Sequence, residues 1–208
     1  MKKGILIIIG IIMLLFGYYQ FWFLRQPTRT IPFSQSHFVS PANGKISAVI
    51  QFDSSVIRIP KYQRTLEVMT SDVSSKGWMI SIEMDVTNVH YQRLPLTATH
   101  IESRYVEGQF KNALIQNNNF GIRLENEHNQ MLFETADGMR YKIIQVAGLV
   151  ARRIVDYTEK GKQYQQGDVI GLIKLGSQVS IILPHDVEPR VSVGEMVTDG
   201  ESILALLK

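Results

Sequence analysis

Leu175-Gly176-Ser177-Gln178 runs straight into Val179-Ser180-Ile181-Ile182-Leu183, and Pro184 closes the run. A short apolar, β-branched stretch bounded by turn formers reads as a strand. The Gly-Ser pair before it, taken alone, reads as a strand start or a bulge. Upstream stands VAGLVARRIV, at Val146 to Val155. That stretch fits a helical turn or a second buried strand, and periodicity does not choose between them. Gly171-Leu172-Ile173-Lys174 lies between the two.

Further out, short strands dominate. Gly44 to Ile50 alternates in part. Trp78 to Val86 alternates cleanly, with Trp78, Ile80, Ile82, Met84 and Val86 on one face and Met79, Ser81, Glu83 and Asp85 on the other. Lys61 to Ser75 is polar and reads as a loop or short hairpin. Gln109 to Gln116 reads as a short helix ended by Asn117-Asn118-Asn119. Asp137-Gly138 is a hairpin signal between Met131–Thr135 and Arg140–Val146. Gly161 with Gly167, and Gly194 with Gly200, have equal spacing, and each pair is followed by an apolar run. Two such units suit a small barrel-sandwich. The expected fold is therefore mainly β (α+β), a small barrel-sandwich-like domain with one or two short helices.

The chain of 208 residues suffices for one domain with a core. It has no cysteine, which rules out disulfides and thiolate metal sites, and no metal site is expected. A net charge of +3 is too small to argue for nucleic acid, though it suits an anionic lipid surface.

Gly4 to Leu24 contains no charged residue. At ~1.5 Å per residue, about twenty residues cross a bilayer core. Lys2 and Lys3 precede the stretch, Arg25 and Arg29 follow it, and Tyr18, Tyr19, Phe21, Trp22 and Phe23 cluster at its far end. Aromatic rings favour headgroup level. The competing reading is a cleaved signal peptide, but aromatics stand where small residues would mark a cleavage site. The expected organisation is an anchor over 1–25, a Pro- and Ser/Thr-rich linker over 26–37 and a domain over 38–208. Basic residues at both ends leave the orientation open.

Several stretches, in order, carry a family likeness: Ser40-Pro41-Ala42-Asn43-Gly44, Asn88-Val89-His90-Tyr91-Gln92-Arg93-Leu94-Pro95, Glu125-Asn126-Glu127-His128-Asn129, VAGLVARRIV and Leu175-Gly176-Ser177. Together they resemble the short, pyruvoyl-dependent phosphatidylserine decarboxylases from Phe38 to the end. The resemblance implies self-cleavage between Gly176 and Ser177. Ser177 Oγ attacks the Gly176 carbonyl carbon and turns the amide into an ester. β-Elimination then splits the chain, and the dehydroalanine hydrolyses to a covalent pyruvoyl group. That carbonyl, the only cofactor implied, condenses with the serine amine of phosphatidylserine and holds the electrons released with carbon dioxide. The product is phosphatidylethanolamine.

By the same resemblance the catalytic residues are Ser177, His90 and Asn43. His90 handles protons, since imidazole titrates near working pH. Arg152 and Arg153 match substrate phosphate by their fork geometry, a solvated basic turn being the other reading. His37, His100 and His185 have no motif and read as structural, and His128 replaces an arginine of the family pattern. Asn43 stands where the pattern has aspartate, and an amide does not take up a proton as a carboxylate does. Deamidation of Asn43-Gly44 would restore a carboxylate there, partly as the iso form.

The implied partners are a phospholipid substrate, the membrane and the two cleaved chains as a heterodimer, with further oligomerisation plausible from the family. The implied location is the plasma membrane, domain on the cytoplasmic side. The alternative that Asn43 supports is a non-processed, membrane-anchored lipid- or protein-binding module. An export-type adaptor is disfavoured by the lack of heptad hairpins. A lipoyl or biotin carrier is disfavoured because no lysine stands at the turn between the glycine units.

Overall fold

The computed structural model describes residues 2–61, 64–107, 127–147, 153–174 and 177–208. The helix expected at 109–116, the middle of VAGLVARRIV (148–152, with Arg152) and Gly176 lie outside the described residues.

A helix α1 (Lys2–Gly17) continues into a π-helical turn (Tyr18–Phe23). The strands follow as β1 (His37–Val39), β2 (Gly44–Phe52), β3 (Val56–Lys61), β4 (Arg64–Met69), β5 (Gly77–Met84) and β6 (Tyr91–Arg93). Next come β7 (Ala98–Val106), β8 (His128–Glu134), β9 (Arg140–Ala147), β10 (Arg153–Asp156) and β11 (Gln163–Tyr164). The last are β12 (Val169–Lys174), β13 (Ser177–Pro184), β14 (Val187–Pro189), β15 (Met196–Val197) and β16 (Ile203–Leu207). The fold is mainly β, with a large sheet curled into a half-barrel and one apolar helix before it.

The run after Ser177 is indeed a strand, and it lies inside the large sheet. Among the described residues that sheet has eight strands in the order β11-β7-β8-β9-β13-β5-β2-β15. β13 pairs antiparallel with β9 on one side and β5 on the other. A strand bonded on both edges can be apolar on both faces, as here. One face sends Ile80, Ile82, Val179, Ile181, Leu183 and Ile143 into the main core with Phe38, Phe133 and Tyr141. The other sends Met79, Ile182, Ile144 and Val146 into a second core with Ile57 and Val68. Each such side chain contributes about 1.5–3 kcal/mol on burial.

The hairpin β3–β4, which takes in only the first part of the polar stretch Lys61 to Ser75, covers the second face through Ile57 and Val68. Ser81 is buried there too, and its hydroxyl meets that of Ser180 at 2.8 Å in the facing strand. Val86, expected to share a face with Trp78, Ile80, Ile82 and Met84, is 48% exposed because the strand stops at Met84. The Asp137-Gly138 hairpin stands where expected, between β8 and β9.

The paired glycine units diverge. β11 and β15 lie at opposite edges of the large sheet, while β12 sits in the small sheet β10-β12-β6 and β16 in β1-β16-β14.

Gly4–Phe23 is long and apolar enough to cross a membrane, with mean hydropathy 2.1. Its side chains from Ile5 to Phe16 are exposed. The linker after it is strapped to the domain. Asp199, fully buried, accepts bonds from Arg29 Nη2 at 2.5 Å and Arg93 Nε at 2.9 Å. Arg93 also donates to the carbonyls of Gly167 and Pro27. Ile31 packs so closely over Gly167, at φ +89°, that a Cβ there would stand 2.6 Å from it. Asp199→Asn leaves two largely buried guanidiniums without their carboxylate. It is expected to destabilise the domain by about 3 kcal/mol. The urea midpoint of the full chain in micelles checks this, on a Ser177→Ala background so that one covalent species unfolds.

Candidate active site

Ser177 opens β13 opposite Met84 of β5 and Ala147 of β9. The chain leaves Met84 through the turn Asp85-Val86-Thr87-Asn88 and arrives at His90. The turn is closed locally: Asp85 Oδ1 accepts from the Thr87 amide and hydroxyl, and the Asp85 amide donates to Asn88 Oδ1. These hydrogen bonds, that of the Thr87 hydroxyl foremost, hold the Asp85 carboxyl below its usual range. The His90 carbonyl accepts from the Ile173 amide in β12, the strand just before Leu175-Gly176-Ser177. The fold therefore brings the backbone at His90 and the strand start at Ser177 into one neighbourhood from both sides.

His90 is fully buried. Its Nδ1 lies 2.9 Å from the Asn88 carbonyl oxygen. A carbonyl only accepts, so Nδ1 carries the proton and Nε2 is a bare lone pair. Nε2 is buried and has no hydrogen-bond partner among the described residues. Burial pushes the His90 pKa down to about 4, and the nearby Arg25 charge adds to this, against the Asn88 carbonyl and Asp85. At neutral pH the ring is an uncharged base.

Asn43 reaches His90 only indirectly. Its Oδ1 accepts from Asn88 Nδ2 at 3.0 Å, and Asn88 holds the imidazole through its carbonyl. The Ser40–Gly44 turn is fixed to the His90 stretch by the Arg93 amide donating to the Pro41 carbonyl. Gly44 is required by close approach: a Cβ there would sit 2.2 Å from the Glu83 carbonyl oxygen.

Glu127 supports the other flank. Its Oε1 accepts from the Ile154 amide, and its carbonyl accepts from the amide of Ala147, the neighbour of Ser177. Gly176 and Arg152 lie outside the described residues. The Arg153 backbone pairs with Lys174 in β10–β12. His100 bonds Ser103 through Nε2. His37 bonds the Pro32 carbonyl, and His185 pairs with Asp186.

Two groups of residues around the site escaped the sequence reading. The first is a buried amide chain. Gln92 Nε2 donates to the His90 carbonyl, Gln145 Nε2 to Gln92 Oε1, and Asn129 Nδ2 to both Gln145 Oε1 and Asp156 Oδ2. Burial works to raise the Asp156 pKa, but bonds from Ser103, Thr158 and Asn129 outweigh it and hold the carboxyl low. Gln92 and Asn129 lie inside the quoted motifs, which is the one signal that pointed to them. The second group is the end of the apolar helix. The Phe23 ring, fully buried, lies 4.0 Å from the His90 ring, centroid to centroid.

Residues 16–205 match the family described as phosphatidylserine decarboxylase. The phosphatidylserine decarboxylase proenzyme of Geobacter metallireducens is 37% identical over 186 residues, covering 89% of this chain and 76% of that protein. The proenzyme of the same name from Ralstonia nicotianae is 37% identical over 185 residues, covering 89% and 77%. That of Syntrophotalea carbinolica is 37% identical over 187 residues, covering 90% and 78%. With a match across most of its length and these identities, the chain belongs to the phosphatidylserine decarboxylase family.

Proposed function

We propose that the chain is a self-cleaving proenzyme that converts phosphatidylserine to phosphatidylethanolamine. The observation that carries this is the neutral, buried His90, proton on Nδ1 and lone pair on Nε2, its carbonyl bonded to β12, the strand that precedes Ser177 in the chain. A base of that form suits removal of the Ser177 Oγ proton as the oxygen attacks the Gly176 carbonyl carbon. The residues fit the pyruvoyl group that Ser177 would become: its chemistry needs a base that moves a proton, and His90 Nε2 is buried with no hydrogen-bond partner among the described residues. When formed, that group supplies the carbonyl that binds the substrate amine and takes up the electron pair left by carbon dioxide. His90 then holds the proton that passes to the substrate carbon.

The organisation proposed with it is an anchor over 1–25, a linker over 26–37 and a catalytic domain over 38–208. The mature form is a heterodimer of 1–176 and 177–208 on the cytoplasmic face of the plasma membrane. Arg153, with Arg152, stays assigned to the substrate. A specific feature favours the second reading, an uncleaved lipid- or protein-binding module: a carbonyl, instead of a carboxylate, backs His90.

Intact mass and a denaturing gel separate the two readings. Slow conversion to two chains is expected over hours, the smaller one lacking a free amino terminus. A chain that stays whole after long incubation, with an ordinary serine at 177, leaves only the binding module.

A further inference from the structure

The contacts between the apolar helix and the catalytic turn are specific. Tyr18 donates from its hydroxyl to the Val86 carbonyl at 3.0 Å. Arg25 donates through Nη2 to the Thr87 carbonyl at 2.6 Å and through Nη1 to the Trp22 carbonyl at 2.8 Å. Its guanidinium lies over the Trp22 ring, 4.5 Å from the centroid. Phe23 packs on His90. The Asp199 strap behind the helix, gripping Arg29 and the Pro27 carbonyl through Arg93, fixes where the chain leaves it. A helix meant only as a tether needs none of these contacts.

Their depth is informative. Gly4–Phe23 has the length of a bilayer core, so Arg25 falls where phospholipid phosphates lie. A guanidinium has five N–H donors in a flat fork that matches phosphate oxygens. Two of the Arg25 donors are committed to carbonyls, which orient the group instead of leaving it to swing.

Resting on the decarboxylase reading above, we propose that the helix end is a wall of the active site and that Arg25 binds the substrate phosphate there, in addition to the Arg152–Arg153 pair. It takes the phosphodiester of a serine phospholipid that stays in the bilayer. Phe23 is a positioning residue that keeps water from His90. The arrangement couples binding to chemistry. The Arg25 charge disfavours a proton on His90, and a bound phosphate offsets that charge just as His90 must accept one.

The test uses the full chain in zwitterionic mixed micelles, with cleavage quantified by mass. Two substrates are compared, a short-chain phosphatidylserine and a serine ester of like tail without phosphate. Wild type is expected to prefer the phosphorylated substrate. Arg25→Gln should raise KM for it by about ten- to thirtyfold, the loss of a charge-assisted pair. KM for the ester should be unmoved, and Arg25→Lys should fall between. Arg190→Gln, on the surface beside Glu188, should behave as wild type. Inorganic phosphate at tens of millimolar should leave the wild-type KM unchanged. Competition by it that Arg25→Gln abolishes would make this a free-anion site and overturn the lipid assignment.

Should Arg25→Gln fail to cleave, the comparison moves to binding on the Ser177→Ala chain, read by Trp22 emission in a Trp78→Phe background. An Arg25→Gln chain that responds to phosphatidylserine as Arg25 does overturns the proposal. A wild type that turns over with an Arg25→Gln KM equal to its own overturns this inference alone. A wild type that never cleaves takes down the decarboxylase reading and the inference with it.

Discussion

His90→Ala is expected to slow self-cleavage about a hundredfold to ten-thousandfold, the range for removing a general base. The variant also empties a fully buried site against Phe23, so His90→Gln serves as its companion. The glutamine amide can still donate to the Asn88 carbonyl, but it has no basic nitrogen. Both should leave a single full-length chain on a gel over times in which wild type divides. Normal cleavage in His90→Gln would remove His90 from the mechanism.

The acid behaviour provides an independent check on the same residue. The folded His90 pKa of about 4 lies below the ordinary 6.5, so between these values the unfolded chain binds more protons than the folded one. Stability then rises with pH across that window. It is full above pH 6.5 and falls as pH drops towards 4, by about 3 kcal/mol in all. Urea midpoints of the Ser177→Ala chain across this window should show the slope, and His90→Gln should flatten it. Wild-type cleavage should correspondingly keep its rate down to about pH 5, because the base form still dominates there. A rate that instead titrates at the ordinary histidine pKa would contradict a desolvated ring.

Much of the scaffold was readable because its signals are local. The apolar run after Ser177 and the Asp137-Gly138 turn each speak about a few adjacent residues, and each is found where expected. What was not readable depends on partners far apart in sequence. Alternation in Trp78–Val86 gave the strand, but it could not reveal that a hairpin from Val56 to Met69 covers the face carrying Met79. The site follows the same rule. His90 and Ser177 became candidates through the motifs that hold them. The amide chain from Gln92 through Gln145 to Asn129 was not, since polar residues at those positions look like ordinary surface until β9 is placed between β8 and β13. The apolar helix was legible as a span by composition. That Phe23 faces inward onto His90 was invisible, because the aromatic cluster at its end has an adequate explanation in headgroup preference alone.

Asn43→Asp is expected to speed self-cleavage about a hundredfold, and the geometry explains why the gain should come without rearrangement. Asn43 uses its side-chain oxygen to accept from Asn88 Nδ2, and a carboxylate oxygen accepts the same bond more strongly. The new negative charge stands behind Asn88, whose carbonyl grips His90 Nδ1, and so favours the imidazolium that forms when Ser177 gives up its proton. Two readouts should move together. The cleavage half-time shortens, and the acid limb of the rate shifts to higher pH because a nearby carboxylate raises the histidine pKa. A faster rate with an unmoved acid limb would mean that the aspartate acts on Ser177 or Gly176 directly instead of through His90. An unchanged rate would mean that proton removal does not limit cleavage, and Asn43 would then cease to explain slow processing. Wild-type chain that has aged into aspartate at Asn43-Gly44 should behave like the variant, the iso form made beside it should not, and the mass of both, about one dalton heavier, separates them from the parent. If cleaved wild-type material carries that extra dalton and uncleaved material does not, the amide form is the resting precursor and deamidation sets its rate of maturation.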